Sequence, residues 1–185
     1  SNFRAGVNAG NSIADGGNYN TVVGDEAGTA ISTGDNNTLV GFESGHDISS
    51  GTGNTFLGAN AGDKTDDGAN NVAIGYDALG ANCGNENTAV GASALSSSTS
   101  AENTAVGAGA GFSLTDVSGG VFIGQHAGLF ATTASNSTFV GHSAGQGITN
   151  NKLTGNDNTA VGTNAGLLLQ AGGTTNTLIG KDAGR

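Results

Sequence analysis

The chain contains a short pattern of polar and apolar residues that is repeated along its whole length. In a typical copy, an asparagine and a threonine precede two apolar residues and a glycine, and an alanine and a second glycine follow, as in NTFLGANAG at 54–62. The first of these glycines, here called the anchor glycine, stands at Gly6, Gly24, Gly41, Gly58, Gly75, Gly91, Gly107, Gly124, Gly141, Gly162 and Gly180. Eleven copies at intervals of 16 to 21 residues identify a repeat protein.

The interval predicts the fold, because about 17 residues are too few for a helical repeat such as a tetratricopeptide or ankyrin unit. They suit one coil of a parallel β-solenoid, with two or three short strands joined by tight turns and neighbouring coils stacked about 4.8 Å apart. The predicted fold is therefore all-β, with about eleven coils of 16–21 residues in a rod roughly 50 Å long.

The residue before each anchor glycine is aliphatic and mostly β-branched, which is typical of a strand interior. We expect this aliphatic column to form the inside of the coil. Its members are Val23, Val40, Leu57, Ile74, Val90, Val106, Ile123, Val140, Val161 and Ile179. The third residue after the glycine is alanine in every copy from the second onward except Ser44, so only a small side chain is expected to fit there.

A second apolar column lies two residues before the anchor glycine, and alternation along a strand points it to the opposite side. A solvent-exposed apolar stripe of this length is rare on monomers, so the column predicts an interface between chains. The alternative is that it lines a second compartment of the same coil. The interface residues so predicted are Val22, Leu39, Phe56, Phe122, Phe139 and Leu178.

Two polar columns precede the apolar ones. The threonine column, broken by Val72 and Val121, shares its side with the aliphatic column by parity and is expected to face inward. Regular threonine arrays also suggest ice binding, against which the inward orientation counts. The asparagine column is expected to adopt left-handed conformations and to pair amides from coil to coil.

Composition removes several other classes of protein. The chain has 35 glycines and no proline, which disfavours a helical domain and excludes collagen. The net charge of −10 argues against nucleic acid or an anionic membrane surface as a partner. No apolar run is long enough to span a bilayer, so we expect this segment not to be embedded in a membrane.

The repeats, for example NVAIGYDAL at 71–79, resemble the head repeats of YadA-like trimeric autotransporter adhesins, and similar repeats occur in phage tail-fibre-like proteins. The resemblance covers nearly the whole chain. It implies a left-handed β-roll, a homotrimer around a threefold axis, and an extracellular adhesive fibre, either anchored in the outer membrane at the cell surface or carried on a virion. We expect residues 1–185 to be a single repeat domain from a longer fibre protein, which attaches to a host-surface or matrix ligand. A monomeric solenoid that binds ice or carbohydrate is the alternative.

No enzymatic activity and no cofactor are expected. The core of the motif also satisfies the hexapeptide rule of left-handed β-helix acyltransferases, but the varying interval does not suit their strict 18-residue coil. His126 and His142 stand at different offsets from their anchor glycines, so we expect them to point to different sides and to form no zinc site. Cys83 is expected to be an inert small residue.

Two connecting segments contain candidate binding residues. Asp63, Asp66 and Asp67 supply oxygen ligands of the type that calcium prefers, although solvated turns explain them equally. The 21-residue interval after Gly141 contains Asn150, Asn151 and Lys152, which we expect to form a loop that faces a ligand.

Overall fold

The computed structural model of the chain describes residues 1–13, 16–149, 152–169 and 172–185. These residues form eleven strands of three residues each, one in every copy of the repeat. They are β1 (Phe3–Ala5), β2 (Thr21–Val23), β3 (Thr38–Val40), β4 (Thr55–Leu57), β5 (Val72–Ile74), β6 (Thr88–Val90), β7 (Thr104–Val106), β8 (Val121–Ile123), β9 (Thr138–Val140), β10 (Thr159–Val161) and β11 (Thr177–Ile179).

The strands form one parallel sheet in sequence order, from β1 to β11. Every pairing is in register with the repeat, so that Thr38 lies beside Thr55 and Leu39 beside Phe56. The columns of the sequence are therefore rows of neighbours in space. This arrangement confirms an all-β solenoid of about ten turns.

Within the described residues each coil has one regular strand, where the sequence predicts two or three. The rest of the coil is a succession of turns whose backbone still bonds to the next coil: Gly28 N–H donates to Ser44 O at 2.9 Å, and Gly45 N–H to Ala61 O at 2.9 Å. Three positions in the coil of β3 have left-handed backbone, namely Asn36 (φ 58°), Glu43 (φ 51°) and Gly45 (φ 58°). These bends break strand geometry but leave the stacking hydrogen bonds in place.

The core of the solenoid is formed by the middle residue of each strand. These side chains are fully buried within the single chain from β2 to β10, including Val22, Leu39, Phe56, Phe122 and Phe139. The alanine column packs beside them, and Ile31, Ile48 and Leu114 close the far side of the coil. The sequence prediction that the aliphatic column forms the inside is wrong, because its members are half-buried or exposed.

Large and small residues complement one another in this core. Where the middle strand residue is Phe56, the sixth residue after it is Gly62, and a Cβ there would overlap the phenylalanine ring. Where the middle residue is Ala73, the corresponding residue is Leu79, which is fully buried in the left-handed conformation (φ 53°). In these two coils the large side chain therefore comes from the strand in one case and from the turn in the other.

A ladder of buried asparagines joins the coils just before the strands. The Asn37 side chain accepts a hydrogen bond at Oδ1 from the backbone N–H of Asn54 (3.0 Å) and donates from Nδ2 to Gly51 O (2.9 Å). This pairing confirms the prediction for the column. The left-handed conformation belongs to the preceding residue, here Asn36, and not to the asparagine of the ladder.

Candidate functional site: the outward stripe

The first and third residues of β2 to β11 point away from the core and form the surface here called the outward stripe. One of its columns is the threonine column, and the other is the aliphatic column. The burial pattern of every one of these strands, except the last, has a buried middle residue between two more accessible ones. The parity argument that put the two columns on one side is confirmed, but that side is the outside.

The outward stripe is regular and free of charge, with an aliphatic column beside a column that consists mostly of threonine. Leu57 is 48% exposed and Ile123 is 40% exposed. None of the twenty residues in the stripe is acidic or basic, although the chain carries a net charge of −10. An uncharged stripe that continues through every coil of an acidic rod is the main surface feature of the described residues.

The stripe has the spacing of the sheet. Since the strands are parallel and in register, equivalent side chains recur about every 4.8 Å along the rod, and the two columns are roughly 6.7 Å apart across it. The stripe is therefore a narrow, two-residue-wide array of hydroxyl and methyl groups about 50 Å long. Such an array can pack against a matching surface or order solvent.

The residues predicted as an interface between chains lie elsewhere. Val22, Leu39, Phe56, Phe122 and Phe139 have no exposed surface in the single chain, and Leu178 in the last strand is half-buried. Assigning them to an interface is therefore a wrong prediction, because side chains enclosed by their own coil cannot contact another chain. The alternative that the column fills the coil itself is the one the structure supports.

The range of side-chain sizes in the sequence distinguishes the buried middle column from the aliphatic column of the outward stripe. The aliphatic column varies only among valine, leucine and isoleucine, whereas the middle column ranges from alanine to phenylalanine. In the coils of Ala73 and Ala89, that variation is balanced by Leu79 and Leu95, where most other copies have glycine. Compensating changes in volume are typical of a closed core.

A shallow groove lies on the turns that follow β6, β7 and β8, beside the outward stripe. Its volume is about 400 Å³, and its lining combines small residues with larger ones. The lining residues are Ala92, Ser93, Ala108, Gly109, Phe112, His126, Leu129 and Phe130. In the coil of β5, which precedes the groove, Tyr76 and Asp77 occupy the positions equivalent to Ala92 and Ser93. The smaller residues at these positions in the next two coils therefore leave space for the groove.

The calcium candidates do not come together as a ligand set. Asp63 is half-buried, whereas Asp66 and Asp67 are exposed. No three histidine, cysteine, aspartate or glutamate side chains within the described ranges are arranged to hold an ion. The structure thus adds nothing in favour of a calcium site here.

Asp63 differs from a solvated carboxylate in its pKa and in its hydrogen bonding. Partial burial raises the pKa of its carboxyl above the ordinary 3.8; Lys64 opposes the increase, and the carboxylates of Asp77 and Asp47 add to it. Its Oδ1 is buried without a hydrogen-bond partner in the part of the chain that the structure describes. The ionised form of this carboxyl therefore lowers the free energy of unfolding.

The two remaining candidates are not assembled into sites. Cys83 is buried with its Sγ 3.4 Å from Thr65 Oγ1, and burial raises the pKa of its thiol, so the thiolate is disfavoured. In the predicted ligand-facing loop, Asn150 and Asn151 lie outside the described residues. Lys152 is exposed, and Leu153 returns to the core, where it forms a parallel bridge with Ala131.

Comparison with family models, with curated proteins and with solved structures gives no match to this chain. Among the residues that the structure describes, no helix has the length and apolar character needed to cross a bilayer.

Proposed function

We propose that this chain is a structural and adhesive segment of a homotrimeric surface fibre, in which the outward stripe is the interface between chains. The observation that supports this proposal is the uncharged outward stripe, whose aliphatic column runs unbroken from β2 to β11 on a chain of net charge −10. A continuous row of partly exposed apolar side chains of this kind commonly marks an interaction site.

A second copy of this chain is the partner that fits the outward stripe best. The stripe repeats with the period of the sheet, and a second copy of the chain is a surface with the same period. A narrow stripe, two residues wide, suits packing around a common axis. The number three comes from the resemblance to YadA-like head repeats.

The adhesive role follows from this assembly. With the stripe covered, the turns and the acidic surface of each chain remain accessible, and every ligand-facing feature is presented three times. Simultaneous weak contacts then give avidity without any new contact in a single chain. The stacked coils supply a stiff support, and no chemical step is required.

Light scattering coupled to size exclusion tests the assembly. We expect a mass three times the 17.8 kDa of the chain at micromolar concentration. A monomer would contradict the proposed trimer.

A bead-retention assay tests the adhesive role. Beads coated with the protein should be retained on surfaces carrying extracellular-matrix proteins, and retention no greater than for uncoated beads would contradict the adhesive role.

Ice binding is a second candidate function, and one specific observation favours it. The threonine column lies on the outside of the coil, where its members are half-buried or exposed, so hydroxyl and methyl groups recur along the surface of the rod. This use requires the stripe to be free, and therefore a monomer. A mass of 17.8 kDa together with thermal hysteresis would support it, whereas a trimer without hysteresis would exclude it.

A further inference from the structure

His126 and His142 lie on consecutive coils and their rings are close together. The ring centres are 6.2 Å apart and the ring planes are inclined by 56°. The expectation that the two side chains point to different sides is wrong, because that argument holds only for extended strand. Both residues belong to the turn after the strand, and His126 has left-handed backbone (φ 60°), which redirects its side chain.

The backbone of both histidines is fixed by the stacking of the coils. His126 N–H donates to Ala108 O at 3.0 Å, and His142 O accepts from the N–H of Asn164 at 2.9 Å. The ring of His126 lies over Gly109, where the preceding coil has no side chain to displace it. His126 is half-buried and His142 is exposed, so solvent reaches the pair.

We propose that His126 and His142 bind one divalent first-row transition-metal ion, such as Zn²⁺, between neighbouring coils. Imidazole nitrogen is a preferred ligand for these ions. With a Zn–N distance of about 2.1 Å, each ring centre lies roughly 3.2 Å from the ion, so rings that share one ion have centres about 5 to 6 Å apart. The observed separation is close to that range, and small side-chain rotations of the partly exposed rings close the difference.

The site is open. Within the described ranges no third histidine, cysteine or carboxylate completes a ligand set. Water therefore occupies the remaining coordination positions, as at zinc sites that keep exchangeable ligands. An ion held there joins two coils and leaves positions at which a donor group of another molecule can replace water.

Titration of the intact protein with Zn²⁺ by calorimetry in a non-chelating buffer tests this site. At about pH 7.5, where protons compete less with the metal than at lower pH, we expect one ion per chain. His126→Gln and His142→Gln should each weaken binding at least about tenfold, since even second-shell partners of metal ligands contribute that much. His46→Gln is the matched control, because His46 hydrogen-bonds Asp47 on a distant coil and should leave binding unchanged.

A second measurement does not depend on the variants. Imidazole resonances of His126 and His142 should shift together on addition of Zn²⁺, with His46 unaffected. Zinc binding that persists in both variants, binding that is lost in His46→Gln, or an unchanged spectrum at excess Zn²⁺ would each overturn the proposal. Circular dichroism of each variant confirms that the fold is retained.

Discussion

At the scale of the residue, the anchor glycines are required for two reasons. Gly91 has φ +132°, which side-chain-bearing residues rarely adopt. In addition, a Cβ at this position would lie 2.6 Å from the carbonyl carbon of Gly107 in the next coil. The repeat keeps glycine here because the backbones of successive coils are in direct contact.

Gly91→Ala should lower the free energy of unfolding by at least about 2 kcal/mol, since backbone strain and overlap with the next coil add together. Gly180→Ala is the control: Gly180 has a similar φ of +118°, but no atom lies within 4 Å of the position that a Cβ would occupy there. It should cost clearly less. Chemical denaturation measures both, and equal losses would contradict the close-contact explanation.

Asp63 supplies a pH-dependent prediction. Its pKa is raised in the folded protein, mainly by burial, so the folded state holds the proton more tightly than the unfolded chain does. Stability is therefore lost as the pH rises from below 3.8 through the raised pKa. Asp63→Asn removes that loss.

We expect Asp63→Asn to melt at a higher temperature than the natural protein at about pH 7, and the two melting temperatures to converge near about pH 3, where the carboxyl is protonated. Asp67→Asn, at an exposed position, is the control and should change little. A variant that is less stable than the natural protein at about pH 7 would refute the argument.

At the scale of the element, a large side chain enters the core of a coil from the strand in some copies and from a following turn in others. Phe56 with Gly62 and Ala73 with Leu79 are two such combinations. The coil of β7 has alanine and glycine at these two positions and buries Leu114 instead. Because both occur in adjacent coils with the same register, the backbone tolerates either. The packing rule concerns the volume of the coil and not one sequence position.

Phe56→Ala should destabilise the protein by about 3 to 5 kcal/mol, because it leaves a cavity in a closed core. Gly62→Leu added to it should restore part of that loss by copying the arrangement of Ala73 and Leu79. Gly62→Leu alone should be destabilising, since the new side chain overlaps the Phe56 ring. Thermal unfolding compares the three variants, and a double variant no more stable than Phe56→Ala would contradict complementarity.

At the scale of the whole molecule, neighbouring positions in one strand have opposite roles. Phe122 is fully buried in the coil, and Ile123 is 40% exposed on the outward stripe. A change at Phe122 therefore acts on the folding of one chain, whereas a change at Ile123 acts on whatever covers the stripe. The pair separates folding from assembly.

Ile123→Glu should dissociate the proposed trimer into folded monomers, because three carboxylates would be buried together near the axis. Phe122→Ser should instead lower the melting temperature to the same extent at every protein concentration. Gln125→Glu, which adds the same charge at an exposed position off the stripe, should remain trimeric. Light scattering and circular dichroism at several concentrations check all three, and an Ile123→Glu protein that stays trimeric would exclude the stripe as the interface.

The net negative charge is concentrated in the first part of the chain. Residues 1–102 contain twelve of the fifteen acidic and two of the five basic residues, whereas residues 103–185 are neutral overall. The groove and the proposed metal site both lie mainly in the neutral part. Partners of these features are therefore selected by shape and ligand chemistry more than by long-range attraction.

The repeat, the all-β solenoid and the register of its columns all follow from the amino-acid sequence alone. An interval near 17 residues with a fixed glycine and asparagine fits only one way of stacking, so Asn37 and Asn54 had to become neighbours. Parity along a three-residue strand likewise put the threonine and aliphatic columns on one side.

Which side of the strand faces the core is a property of the folded coil and cannot be read from the sequence pattern. Both faces of the strand are apolar, so hydrophobicity could not choose between Phe122 and Ile123. The choice depends on the volume enclosed by the turns, where Gly62 or Leu79 leaves or fills the space beside the strand. The same limit hid the proximity of His126 and His142, because a left-handed residue in a turn redirects its side chain in a way that strand alternation does not describe.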